Sequence, residues 1–268
     1  MIYLSLKYSI FMTLLTILVF LGFGYIYSLI QKRNGTYMYS TFGNKGILFT
    51  GIVGTMVHEM GHLIMCVIFH HDIVSCKLFN FKGYKYEETL GYVTHKYNNK
   101  NLYEKAGNFF IGIGPMVSGI LFIIFSFKFL LPDIYNNINI NGYLNKLSLL
   151  QVENIIFLLF SLSKNLVISL FNVKNFSNIN FYIFIYLMFC VSSHISLSKK
   201  DFQNSYAGIL SLFLIIFIIT LIGFIFNISN LLLIFIKIIV YLIFFLSIGL
   251  IFSIISLFIS YIFYIIKK

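Results

Sequence analysis

The stretch GTMVHEMGHLIMCVIF, Gly54–Phe69, decides how this chain is read. It is apolar along most of its length, yet it places His58, Glu59 and His62 in little more than one helical turn. Ionisable side chains are costly in a bilayer interior and mark function where they occur there. Histidines four apart project from one face of a helix. Two imidazoles at that spacing can bind one zinc ion, each at about 2.0–2.1 Å. Glu59 then points toward the open side of the metal, placed to take a proton from a water whose pKa zinc lowers to about 7. This is the His-Glu-x-x-His pattern of metal-assisted peptide hydrolysis. Glu59 is the only acidic residue among the first 71. The plainer reading of the same residues is a structural His/Glu/His network joining helices.

The surrounding sequence makes this run a membrane helix. Of 268 residues, 59% are hydrophobic and 10% charged, against about 25% charged in soluble domains. The expected fold class is an all-α polytopic membrane protein with no separate soluble domain. A spanning helix needs about 20 mostly apolar residues, and such runs lie at 8–30, 46–70, 107–131, 179–197 and 206–227. A further segment, 147–172, is more polar. The run Leu231–Ile266 would extend about 54 Å as a helix, long for one span and short for two. The total is six to eight transmembrane helices. The first run, Tyr8–Ile30, is longer than the roughly 7–15 apolar residues of a signal peptide and reads as a retained span.

The net charge is +11, but the lysines are scattered through loops and ends. No basic cluster interleaves with aromatics, so no nucleic-acid partner is expected. The connection 71–106 carries Lys77, Lys82, Lys85, Lys96, Lys100 and Lys105, and the loop 31–45 carries Lys32, Arg33 and Lys45. The excess of positive charge places 71–106 and the N-terminus in the cytoplasm. Within that connection, KLFNFKGYKY (Lys77–Tyr86) and TLGYVTHKY (Thr89–Tyr97) read as short strands, forming a small membrane-associated β loop near 73–97. Cys66, Cys76 and Cys190 form no CxxC, so neither a disulfide framework nor a thiolate zinc site is expected. Cys66 and Cys190 read as packing residues.

A catalytic zinc site normally has three protein ligands and an open position. After Glu153 the only carboxylate is Asp201, in SSHISLSKKDFQNSYAGI (Ser192–Ile209). Asp201 is the first choice for the third ligand and His194 the rival. Asp201 also reads as a helix-capping or first-turn charge. His70 and His71, ending the motif helix, read as interfacial polar residues. In 147–172, Asn154, Ser161, Asn165 and Asn172 share one helical face, flanked by Glu153 and Lys164. That segment either lies along the interface or spans with its stripe toward a polar interior. The choice matters. If 107–131, 147–172 and 179–197 all span, Asp201 emerges opposite the cytoplasmic side. If 147–172 lies in the interface, it returns there.

With these residues in view, the chain resembles the site-2-protease-like intramembrane zinc metalloproteases, as a divergent member. HEMGH (His58–His62) in an apolar helix, with Gly61 at its fourth position, is similar to that family's first motif. GYVTH (Gly91–His95) is similar to part of its β loop, and IGIGPMVSG (Ile111–Gly119) to the Gly-Pro segment that opens its next helix. The resemblance covers roughly 46–131. The family's third-ligand motif, an Asp-Gly pair preceded by Asn and Pro, is absent: the chain has no Asp-Gly, and its only prolines are Pro115 and Pro132. Asp201 in LSKKDF would stand in. The resemblance implies a single membrane-embedded metallopeptidase domain over 1–268, with a core at 46–205 and extra helices at 8–30 and 206–266. It implies one Zn2+ per chain held by His58, His62 and Asp201, with Glu59 as general base and acid. The substrates would be membrane proteins or peptides cut within or near the bilayer, at the cytoplasmic side of a bacterial plasma membrane. Asn154, Asn165 and Ser118 would admit water or hold substrate backbone, or else simply bond helices together. The alternative is a membrane transporter or peptide-export accessory using the His/Glu cluster for ion coupling, which predicts ionisable pairs in several spans and internal repeats. A non-catalytic scaffold is disfavoured by the intact His58, Glu59 and His62.

Overall fold

Backbone groups surrounded by hydrocarbon must bond within their own segment, so the apolar runs of this chain become helices. The computed structural model describes residues 2–80, 90–138, 142, 155–226, 228 and 230–268. Its helices are α1 (Ile2–Phe42), α2 (Asn44–Ile68), α3 (Leu102–Leu130), the short α4 (Pro132–Asn137), α5 (Ile155–Leu170), α6 (Ile179–Ser192), α7 (Lys199–Ile225) and α8 (Leu231–Lys267). Five of them, α1, α2, α3, α7 and α8, are long and apolar enough to cross a membrane. Strands β1 (Asp72–Lys77) and β2 (Tyr92–Lys96) form an antiparallel pair.

Helix α3 is the most enclosed of the five long helices and packs against α1, α2, α6, α7 and α8. Small residues allow this. A Cβ on Gly114 would stand 2.8 Å from the Gly61 carbonyl oxygen, and one on Gly61 would collide with Gly114 O and Ser118 Oγ. Helices α2 and α3 therefore meet backbone to backbone, as small-residue membrane interfaces do. Ser118 Oγ reinforces the contact by donating to the Val57 carbonyl at 2.7 Å.

Several boundaries differ from the sequence-based expectation. Residues 31–42, read as a loop, continue α1, and Gly43 alone separates it from α2. Tertiary contacts with α8 sustain that extension. Asn34 Nδ2 donates to Ser256 Oγ at 3.0 Å, and the Tyr37 ring lies 5.3 and 5.1 Å from those of Tyr261 and Tyr264. Farther down, Tyr27 Oη donates to the Leu246 carbonyl at 2.7 Å. These pairs advance together along both chains, so α1 and α8 run side by side in the same direction. The run 231–266 lies in one helix, Leu231–Lys267, of 37 residues, about 55 Å long. Helix α3 begins at Leu102, where the Asn101 side chain accepts the Tyr103 N–H at 3.0 Å. Pro115 consequently lies in the helix interior and not near its start. The first strand is Asp72–Lys77 and precedes the expected 77–86. Residues 81–89, with Lys82 and Lys85, lie outside the described residues, as do Glu153 and Asn154.

The strand pair follows α2 almost directly because His71 holds it there. His71 is buried. Its Nε2–H donates to the Glu104 carbonyl at 2.7 Å, and in the neutral ring its Nδ1 accepts the His95 Nδ1–H at 2.9 Å. The Tyr97 ring stacks on the His71 imidazole at 5.1 Å. One buried imidazole thus ties the exit of α2 to β2 and to the first turn of α3, where the sequence suggested an interfacial polar residue.

Two predictions follow from this packing. Overpacking of a tight interface destabilises by about 1–3 kcal/mol. Gly61→Ala is therefore expected to lower the Tm of detergent-solubilised protein, whereas Gly22→Ala, where a Cβ meets nothing within 4 Å, is not. In the strand pair, burial and then the neighbouring His71 hold the His95 imidazole below its usual pKa. The released histidine titrates near its ordinary value of about 6.5, so docking of the pair weakens as pH falls below that value. Hydrogen exchange at 92–96 is expected to accelerate between pH of about 7.5 and about 5.5, after correction for intrinsic rates, and His95→Ala is expected to remove that dependence.

Candidate metal centre

Helix α2 carries His58, Glu59 and His62, and α7 brings Asp201 to them from its first turn. Asp201 reaches this position because α6 stops early. It has 14 residues, about 21 Å, short of a hydrocarbon core of about 30 Å. The chain then runs irregularly through 193–198 beside α2 before α7 begins. The turn at Asp201 therefore forms level with His58. Ser198 caps α7 in a reciprocal arrangement: its Oγ accepts the Asp201 N–H at 3.2 Å, and Asp201 Oδ2 accepts the Ser198 N–H at 2.6 Å. The capping role expected for Asp201 is real, and it leaves Oδ1 facing His62.

His62 Nε2 lies 3.2 Å from Asp201 Oδ1, and His58 Nε2 lies 3.9 Å from Oδ2. Asp201, His62 and Glu59 are buried. On the far edge of each ring, Nδ1–H donates to a main-chain carbonyl, His58 to His194 O at 2.7 Å and His62 to Ile111 O at 2.8 Å. A carbonyl only accepts, so Nδ1 carries the proton and Nε2 of each neutral ring presents its lone pair. Two imidazole lone pairs and a carboxylate thus face one another in an apolar bundle. Acceptors in that arrangement require a cation or a proton between them.

A metal ion fits. One ligand atom from each of the three residues lies within 4.8 Å of the others. Tetrahedral ligands at about 2.0–2.2 Å from zinc stand roughly 3.4 Å apart, close to the observed separations. Carbonyl-bonded Nδ1–H groups are also the usual support of metal-binding histidines. Among the described residues this is the group of His, Cys, Asp and Glu side chains that can hold an ion.

The other residues singled out from sequence lie elsewhere. The His194 ring turns away, its Nδ1–H donating to the Cys190 carbonyl at 3.0 Å, and the residue serves the centre through its own carbonyl. Cys66 and Cys190 are buried free thiols. Ser118 bonds α3 to α2. Asn165 is exposed on α5, which packs on α4 and α8, so the polar stripe of that helix does not face the centre. Asn154 lies outside the described residues. Two contributors have no sequence signal, because they are the backbone oxygens of Ile111 and His194. A third is Gly91, just before β2. A Cβ there would come within 2.8 Å of both Glu59 Cγ and the Leu78 carbonyl, so bare backbone covers Glu59. A cavity of about 290 Å3, lined in part by Gln31, Lys32, Asn34, Ser193 and His194, adjoins these elements.

Removing a ligand should weaken zinc binding by more than the roughly 10–100-fold typical of losing a supporting partner. His58→Ala, His62→Ala and Asp201→Asn are expected to do so in a chelator-competition titration. Asn at 201 retains a capping acceptor, which separates metal loss from misfolding. His194→Ala keeps the carbonyl that holds His58 and is expected to retain zinc. Compared with known proteins, the chain matches no protein-family model, no curated protein and no solved structure.

Proposed function

We propose that this chain is a membrane-embedded zinc metalloendopeptidase, a divergent relative of the site-2-protease-like intramembrane proteases. The observation that carries this reading is the convergence of His58 Nε2, His62 Nε2 and the Asp201 carboxylate beside Glu59. Two imidazoles and one carboxylate form a donor set suited to catalytic zinc, which keeps a further position open. The setting adds weight, since α2 is among the helices long and apolar enough to cross a membrane.

Zinc in this position would supply Lewis acidity, stabilising charge on a peptide carbonyl and making water a stronger acid. The protein supplies the remainder. His58 and His62 are held with Nε2 inward, and Asp201 balances part of the cation's charge. Glu59, one residue along from His58, takes the proton of the attacking water and passes it to the departing amine. Gly91, with no side chain, packs its backbone directly over Glu59. The adjoining cavity, lined by both polar and apolar residues, gives water and an unwound segment a place among apolar helices. We assign about one zinc per chain, a bilayer environment, membrane proteins or peptides as substrates, and a site on the cytoplasmic side of the plasma membrane.

The decisive comparison is between native protein and Glu59→Ala in vesicles. Both are expected to contain about one zinc per chain by elemental analysis. Cleavage of a co-reconstituted single-span substrate is expected to fall by at least about 100-fold in the variant, the contribution typical of a positioned acid–base group. A well-folded native preparation that takes up no zinc would overturn the assignment.

A further inference from the structure

Both imidazoles of the centre are oriented by carbonyls that lack the usual helical N–H partner four residues on. The His194 carbonyl is free because α6 ends at Ser192 and the chain turns away from helical geometry. The Ile111 carbonyl lies inside α3, where its helical partner would be the N–H of residue 115. Residue 115 is proline. It has no N–H, and its ring pushes the carbonyl four residues earlier away from the helix axis. That displaced carbonyl is the one His62 Nδ1–H reaches at 2.8 Å.

We infer that Pro115 is a positioning residue: by leaving the Ile111 carbonyl unclaimed, it fixes His62 in the tautomer whose Nε2 faces Asp201. The consequence for zinc rests on the metal-centre reading, while the tautomer itself does not. A proline in a helix interior is ordinarily destabilising. Here the group it orphans is satisfied by a side chain from the neighbouring helix, so the interruption leaves no unpaired carbonyl. The glycines between Ile111 and Pro115, Gly112 and Gly114, let α7 and α2 approach closely enough to use it. A Cβ on Gly114 would stand 3.2 Å from the His62 backbone nitrogen, and one on Gly112 would meet Ser205 and the Asp201 carbonyl.

The test uses full-length protein in detergent, 15N-labelled at histidine, with zinc as the probe. In metal-free wild type, His62 is expected to show the Nδ1–H tautomer. A dominant Nε2–H form there would overturn the inference without any variant. In Pro115→Ala a restored N–H competes for the Ile111 carbonyl. His62 should then populate both tautomers, and zinc affinity should fall about 10- to 100-fold. Ser118→Ala removes a different bond between the same two helices. It serves as the structural control, expected to change Tm but neither the tautomer nor zinc affinity. If Pro115→Ala leaves tautomer and affinity unchanged, or if Ser118→Ala shifts them equally, Pro115 only shapes the helix. If wild type holds the Nδ1–H tautomer yet binds no zinc, the metal reading fails and the positioning role stands.

Discussion

A buried carboxylate facing two imidazole lone pairs is the constraint around which this bundle is organised. Asp201 is almost fully buried, and in their neutral form both its neighbours present Nε2 acceptors, since Nδ1–H of each is bonded to a carbonyl. Placing such groups together among apolar helices is unfavourable unless something positively charged lies between them. The same carboxylate caps α7 through its other oxygen. The start of a long apolar helix and the geometry of the centre are therefore set by one side chain.

The centre is built from interruptions of regular structure. Irregular backbone at membrane depth is tolerated where it is enclosed by protein, and here each interruption is used. The gap between α6 and α7 frees the His194 carbonyl for His58 and starts a helix at the level where Asp201 is needed. The proline inside α3 leaves a carbonyl for His62. Close contact between α2 and α3 at Gly61 and Gly114 brings that carbonyl within hydrogen-bonding distance. Helices α1 and α8, both far longer than a single crossing requires, pair along their length through Tyr27, Asn34 and Tyr37. They flank this less regular interior with continuous helix.

The two-stranded sheet belongs to the same design. His71 clamps it to α2 and α3, and Gly91, at its edge, lies on Glu59. The carboxylate next to the centre is thus covered by backbone. The placement of His71 ties the position of that cover to an imidazole pair.

Much of this was legible from sequence for simple physical reasons. Apolar runs of sufficient length specify helices wherever backbone groups must be satisfied locally, so α1, α2, α3 and α7 were each anticipated, though with displaced ends, while 231–266 stayed open between one helix and two. His58 and His62 share a face because the helical repeat puts residues four apart together. Asp201 stood out because few carboxylates follow the motif. What sequence could not determine depends on contacts between distant segments. The loop expected at 31–45 is helix because α8 packs against it. The length of α6 decides whether Asp201 reaches the histidines. The ring of His194 turns away while its carbonyl turns in. The clamp formed by His71 and the carbonyl of Ile111 involve atoms whose partners lie on other elements. Composition and periodicity determined that the chain forms apolar helices and which of their faces carry chemistry. Only tertiary packing decided which lone pairs meet, because that depends on where helices break and how closely their backbones approach.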